Sequence, residues 1–184
     1  MNSGSFPSRQ IILVTGAARS GKSEWAETLA NAMQSPVIYL ATARESDTDR
    51  EWQARIIQHR LRRPRHWQTL EVPLALGEAI KTAKSRHCLL VDSLGTWVAN
   101  LLPREDREWE ETVAQLLDIL EQAAADIIFV AEEVGWGVVP AYETGRQFRD
   151  RLGHLSRQIG SIASTTYLVT GGHALNLSQL GQKL

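Results

Sequence analysis

The sequence predicts an α/β fold, a mostly parallel sheet with helices on both faces, and three observations carry that expectation. Short apolar runs recur along the chain at 11–14, 37–40, 88–91, 127–130 and 167–169, and they are continuously apolar where a half-solvated strand would alternate. Helix-length segments separate them, as parallel pairing requires. The first run leads directly into a glycine-rich loop that opens a helix. The 184 residues, 43% hydrophobic, suit one core, so we expect a single domain over 11–184 behind a polar, flexible N-terminal tail over 1–10.

Taken in order, Ile11-Ile12-Leu13-Val14 reads as the first buried strand and 22–33 as the helix that the loop opens. Val37-Ile38-Tyr39-Leu40 follows Pro36 as a second strand, and 49–62 reads as a helix ended by Pro64. A short extra strand is expected within 67–72, then a helix over 74–84 after Pro73. Cys88-Leu89-Leu90-Val91 is the next buried strand, with helices over 94–102 and 106–125 on either side of Pro103. Ile127-Ile128-Phe129-Val130 precedes a Gly/Pro-rich loop over 135–140, a helix over 142–161 and a last strand at Tyr167-Leu168-Val169. No element is assigned to the end, GGHALNLSQLGQKL.

Composition excludes several functions. Twenty Lys+Arg against 21 Asp+Glu leave a net charge of −1, so no global field draws the chain to nucleic acid. The apolar runs fall far short of the roughly 18 residues that span a bilayer, and no secretory core precedes them. One cysteine, Cys88, forms no intrachain disulfide, and the five histidines lack ligand spacing for zinc. A reducing, cytoplasmic setting is the expectation.

The strongest chemical signal is Gly16-Ala17-Ala18-Arg19-Ser20-Gly21-Lys22-Ser23, a complete GxxxxGK[ST] motif between a strand and a helix. Its glycines let backbone N–H groups wrap a polyphosphate, Lys22 reaches the β/γ-phosphates and Ser23 offers a hydroxyl to Mg²⁺. Asp92, at the end of the third run, stands at the ligand edge of such a sheet. It either serves Mg²⁺ and nucleotide, or Asp92 or Ser93 caps the helix starting at Leu94.

From Arg55 to Arg65, five arginines (55, 60, 62, 63 and 65) occur without an acid. Such a run is commonly a solvated face, but helical spacing puts Arg55, His59 and Arg62 or Arg63 on one side. An imidazole ringed by guanidinium groups is held neutral with a lone pair to offer, and the same cations stabilise an attacked phosphate. His59 is thus a candidate phosphorus nucleophile, against the bland alternative of a surface histidine. Trp25, Trp52 and Trp67 offer stacking surfaces, although packing suits Trp25 and Trp52 better. Glu132-Glu133-Val134-Gly135-Trp136 reads either as a substrate or metal edge or as a turn with two solvated acids.

With these pieces assembled, the chain resembles the bacterial bifunctional adenosylcobinamide kinase/adenosylcobinamide-phosphate guanylyltransferase family of cobalamin biosynthesis. The resemblance runs from Ile12 onward and rests on ILVTGAARSGKSEWAE, YLATA, the RI-x-x-H-x-x-x-RP-x-x-W-x-T-x-E pattern, VDSLGTWVANLL, EEVGWGVVP and FRDRLGHLSRQIGSIASTTYLV. It implies a RecA-like P-loop domain, commonly a trimer, that uses Mg²⁺ with GTP or ATP for two transfers. The first phosphorylates the aminopropanol hydroxyl of adenosylcobinamide. The second passes GMP from GTP, through a covalent histidine intermediate, to adenosylcobinamide phosphate.

His59 occupies the place of the family's histidine. By the same resemblance Gly16 to Ser23 is the phosphate loop, Ala41, Thr42, Ala43 and Arg60, Leu61, Arg62, Arg63 are further nucleotide contacts, and Glu71 and Asp92 are acidic nucleotide-site positions. Two departures stand out: Asp92 where some relatives carry glutamate, and Glu132 where asparagine is usual, which adds a negative charge near the substrate edge. The competing expectations are a small-molecule P-loop kinase with no guanylyl transfer and a nucleotide-switched regulatory module.

Overall fold

The computed structural model describes residues 9–44 and 50–184. Its centre is a seven-stranded sheet in the order β3-β2-β4-β5-β1-β6-β7. The strands are β1 Ile11–Gly16, β2 Val37–Ala41, β3 Gln68–Glu71, β4 Cys88–Asp92, β5 Asp126–Glu132, β6 Thr165–Thr170 and β7 His173–Asn176. All neighbours pair in parallel except β6 and β7. The helices are α1 Lys22–Ala32, α2 Arg50–Arg62, α3 Leu76–Lys81, α4 Leu94–Asn100, α5 Asp106–Gln122, α6 Glu143–Ile162 and α7 Leu177–Leu180.

The central strands are buried on both sides because alternate residues feed two cores. Leu13, Leu40, Leu89, Val91, Ile127 and Phe129 point to one face, where they meet Trp97 of α4 and Leu152, Leu155 and Ile159 of α6. Helix α5 adds Trp109, Val113, Leu116 and Leu120, an apolar stripe at helical spacing. Ile12, Val14, Tyr39, Leu90, Ile128 and Val130 point to the other face. There α1 presents Ala26 and Ala30, small enough to bring that helix close beneath the phosphate loop.

The structure trims several expected helices and adds two elements. The segment expected as a helix over 74–84 is helical only at Leu76–Lys81, closing around Ala83 and His87 in turns. The extra strand forms as β3, an exposed edge paired to β2. The hairpin β6–β7 and the short α7 were not expected. Gly171 and Gly172 both take positive φ, +56° and +77°, and form the two-residue turn on which β7 folds back. That Gly-Gly pair is a hairpin signal the sequence does contain.

Cys88 lies buried on β4, where burial, with a smaller push from Asp126, drives its thiol up to about 12. Its role is packing. Trp67 is also a core residue, with 7% exposure, and presents no stacking surface. Trp25 is half-buried, its ring meeting Tyr167 edge-on at 5.6 Å. The side chains of Trp52 and Arg55 lie outside the described residues, as do the acidic positions 45–49.

Candidate active site

Strand order places the site. The C-terminal ends of β1, β2, β4 and β5 all open on one edge of the sheet, and a cavity of about 760 Å³ lies against it. The phosphate loop forms its floor. At Gly16 a Cβ would stand 2.5 Å from the Val169 carbonyl oxygen and 2.6 Å from Ser20 Oγ, so only glycine lets the loop leave β1 this close to β6. Gly21, at φ +93°, turns the backbone into α1, and Arg19 holds the same left-handed region at φ +60°. Lys22 lies back over the loop, its ammonium donating to the Ala17 carbonyl at 3.3 Å. Ser20 Oγ is buried with no protein hydrogen-bond partner, a polar atom suited to an incoming phosphate oxygen.

Asp92 ends β4 on the same edge. Ser93, not Asp92, caps α4, through a reciprocal pair in which Ser93 Oγ accepts the Thr96 N–H at 3.3 Å. The carboxylate is therefore left to the cavity. Burial alone raises its proton affinity, but hydrogen bonds from His59 and Tyr39, the His59 charge and a hydrogen bond from Ser23 outweigh it and hold Asp92 below the usual carboxylate range. The resulting Ser23–Asp92 pairing is a fitting donor set for Mg²⁺, which prefers a carboxylate or two with substrate phosphates. Among the described residues no cluster of three or more His, Cys, Asp or Glu side chains is arranged to hold a metal.

Helix α2 closes the opposite wall. Its last turn brings His59, Arg60 and Arg62 to the cavity, with Arg63 just beyond. Arg62 reaches across to α1, pairing with Glu24 and, at 3.0 Å, with Glu27. Arg60 pairs with Glu71 at 2.9 Å, and Arg63 lies over the Tyr39 ring, 3.4 Å from its centroid. His59 Nδ1 is 3.6 Å from Asp92 Oδ2 and 3.5 Å from Arg62 Nη2. Among the described residues the imidazole thus lies between the Arg62 guanidinium and the Asp92 carboxylate, an acidic neighbour that the expected ring of cations did not include.

The other expected positions divide. Ala18, Arg19, Ala41, Ala43 and Glu71 line the cavity beside the loop. Thr42 is fully buried behind it, its hydroxyl accepting the Ser93 N–H at 2.8 Å and so fixing the β4–α4 turn. Leu61 is 80% exposed and lies off the cavity. Arg65 is exposed and does not join the site.

Tyr39 and Gly95, left without a role by the sequence reading, also converge here, together with Glu132, whose loop was read either as a substrate or metal edge or as a solvated turn. Tyr39 donates its hydroxyl to Asp92 Oδ2 at 2.7 Å. Glu132 pairs in register with Gly16 and accepts the Gly95 N–H at 3.0 Å; burial, and more weakly the nearby Asp92 charge, push its carboxyl up. Gly95 makes room for it, since a Cβ there would stand 2.0 Å from Glu132 Oε2. Glu133 turns away and accepts from Thr15 Oγ1 at 2.6 Å.

A phosphate loop and an imidazole thus share one cavity, and residues 12–177 match the family described as cobinamide kinase / cobinamide phosphate guanyltransferase. The chain belongs to that family. It is accordingly a transferase enzyme. Its relatives include the bifunctional adenosylcobalamin biosynthesis protein CobP of Pseudomonas aeruginosa, 42% identical over 162 residues, covering 86% of this chain and 92% of the relative. The bifunctional adenosylcobalamin biosynthesis protein CobU of Escherichia coli is 35% identical over 177 residues, covering 88% of this chain and 96% of that one.

Solved structures extend the fold alone. The flagellar accessory protein FlaH of Methanocaldococcus jannaschii superposes with TM-score 0.51 at 14% identity, covering 99% of this chain and 85% of that one. A prototypical ATPase from the type III secretion system of pathogenic bacteria gives TM-score 0.55 at 12% identity over 93% of this chain and 54% of its own. What they share with this chain is the mostly parallel α/β sheet expected from the sequence, here with the phosphate loop following its first strand. No helix among the described residues is long and apolar enough to cross a membrane.

Proposed function

We propose that this enzyme phosphorylates the aminopropanol hydroxyl of adenosylcobinamide with ATP or GTP, then transfers GMP from GTP to adenosylcobinamide phosphate, yielding adenosylcobinamide-GDP. The observation that carries the reading is the shared cavity: Lys22 and Ser23 on one wall, His59 on the other, with Asp92 between them. In the kinase step the substrate hydroxyl attacks the γ-phosphorus, the bond to the β-phosphate oxygen breaks and the nucleoside diphosphate leaves. Lys22 and the loop N–H groups take up the charge that gathers on the phosphate oxygens. Ser23 and Asp92 would hold Mg²⁺, which would supply charge neutralisation for the polyphosphate.

In the second step a lone pair on His59 attacks the α-phosphorus and pyrophosphate leaves, forming a P–N bond. A phosphate oxygen of the acceptor then attacks that phosphorus, the P–N bond breaks and the imidazole is restored. Arg62 beside the histidine, with Arg60 and Arg63 on the same cavity wall, meets the phosphate charge. Gly16 to Gly21 hold the polyphosphate, Ala41 and Ala43 line the nucleotide's path and Glu71 orients Arg60. We also assign a cytoplasmic setting and a homo-oligomer, a trimer by analogy with the family, which sedimentation would test.

The test uses GTP labelled at the α or γ position, with denaturation before counting. Wild-type protein is expected to retain α-label covalently and to pass γ-label to adenosylcobinamide. His59→Ala is expected to retain no α-label while still phosphorylating the corrinoid. Normal covalent labelling of the variant would move the nucleophile elsewhere, and γ-transfer with no α-label in wild type would leave a kinase only.

A further inference from the structure

His59 Nδ1 faces two competing partners at nearly equal distance, Asp92 Oδ2 at 3.6 Å and Arg62 Nη2 at 3.5 Å. The competition decides which nitrogen is the nucleophile. A proton on Nδ1 is drawn to the carboxylate and leaves the lone pair on Nε2. A bare Nδ1 accepts from the guanidinium instead, and Nε2 then carries the proton and cannot attack. Arg62 is drawn the other way by Glu24 and Glu27 on α1. On Asp92, the oxygen nearest the imidazole is Oδ2, the one that accepts the Tyr39 hydroxyl at 2.7 Å.

Tyr39 is well placed to hold that oxygen still. The residue is 1% exposed in the core behind the sheet edge, and the Arg63 guanidinium covers its ring at 3.4 Å. Tyr39 therefore links the start of the loop after α2 to the end of β4, the two segments whose relative position sets the distance between His59 and Asp92. Ser23 also donates to the carboxylate, from the phosphate-loop side.

We propose that Tyr39 is a positioning residue for the covalent step: its hydroxyl fixes the Asp92 carboxylate against the Nδ1 edge of His59, so that Nε2 presents the lone pair to the α-phosphorus. The inference rests on the guanylyl transfer proposed above. It assigns no bond-making to Tyr39, which acts only through Asp92.

Tyr39→Phe is the test, because it removes one hydroxyl and keeps the ring under Arg63. Single-turnover labelling by α-labelled GTP, run over a range of GTP concentrations on the full chain, should show the maximal rate falling about tenfold, in keeping with one lost hydrogen bond to a charged group. The half-saturating concentration should stay within about twofold. In parallel, ¹⁵N shifts of the His59 ring should report Nδ1–H in wild type and a shift toward Nε2–H in the variant, which a purely structural role would not produce. A folded variant that labels at the wild-type rate, or one whose imidazole tautomer is unchanged, overturns the role of Tyr39 while leaving guanylyl transfer standing. Wild-type protein that retains no α-label overturns both.

Discussion

The phosphate loop and helix α2 deliver side chains to the same cavity by different means. The loop is a single stretch from Gly16 to Ser23, anchored by a fully buried strand on one side and a helix packed through Ala26 and Ala30 on the other. Backbone geometry places Lys22, and that geometry is dictated by neighbours in sequence. His59 is placed differently. Among the described residues its helix is joined to the rest by Arg62 to Glu24 and Glu27, Arg60 to Glu71, Arg63 over Tyr39, and His59 itself beside Asp92, contacts that reach 11 to 38 positions along the chain. The difference teaches that one wall is built by covalent order and packing, the other by charged side chains that solvent can compete for.

Lys22→Ala should have the largest effect and should blur the comparison, since both proposed transfers pass polyphosphate over the same loop. We expect kinase and labelling rates to fall together by about a hundredfold or more at saturating Mg²⁺, while α1 stays folded. A variant that kept either rate would separate the loop from that reaction.

Asp92→Asn sharpens the point where the walls meet. The amide keeps a hydrogen-bond acceptor for Tyr39 but loses the charge that faces His59 and that we propose serves Mg²⁺ with Ser23. Both rates should drop by roughly ten- to a hundredfold, with the unfolding temperature little changed because Ser93 caps α4 independently. A large thermal shift with full turnover would return Asp92 to the helix-cap reading.

The same contrast explains what the sequence discloses. Buried parallel strands announce themselves as unbroken apolar runs, and a contiguous motif carries its own geometry, so β1, the loop, α1 and the strand-end position of Asp92 were all legible. The basic face of α2 was legible only as composition. The spacing put cations around His59, but the Asp92 carboxylate came from 33 positions downstream, by the pairing of β2 with β4 that no local pattern specifies. Tyr39 was counted as an ordinary strand residue because its hydroxyl partner lies on that neighbouring strand. Thr42 sits in a matching motif yet faces inward, since alternation along an extended chain sends it behind the site. The hairpin at Gly171-Gly172 had a local signal and was missed for want of a long apolar run after it.

The smallest predicted effects lie in the two carboxylates that hold Arg62, and they test whether α2 is positioned by charge at all. Glu27 has a side-chain exposure of 12% and meets Arg62 at 3.0 Å, whereas Glu24 is 56% exposed on the same helix. An exposed pair contributes about 0.2–1 kcal/mol and is screened by salt, whereas a hydrogen bond between charged groups sheltered from water contributes roughly 1.5–3 kcal/mol. If those pairs draw Arg62 off His59, Glu27→Gln should slow α-label incorporation about threefold to tenfold and leave phosphorylation within twofold. Glu24→Gln should change labelling by less than about twofold, and that residue of effect should vanish in high salt. Equal losses from both variants would mean that net charge near α1, not the sheltered bond, seats the helix; equal losses in both reactions would mean that Glu27 supports the phosphate loop and not the histidine wall.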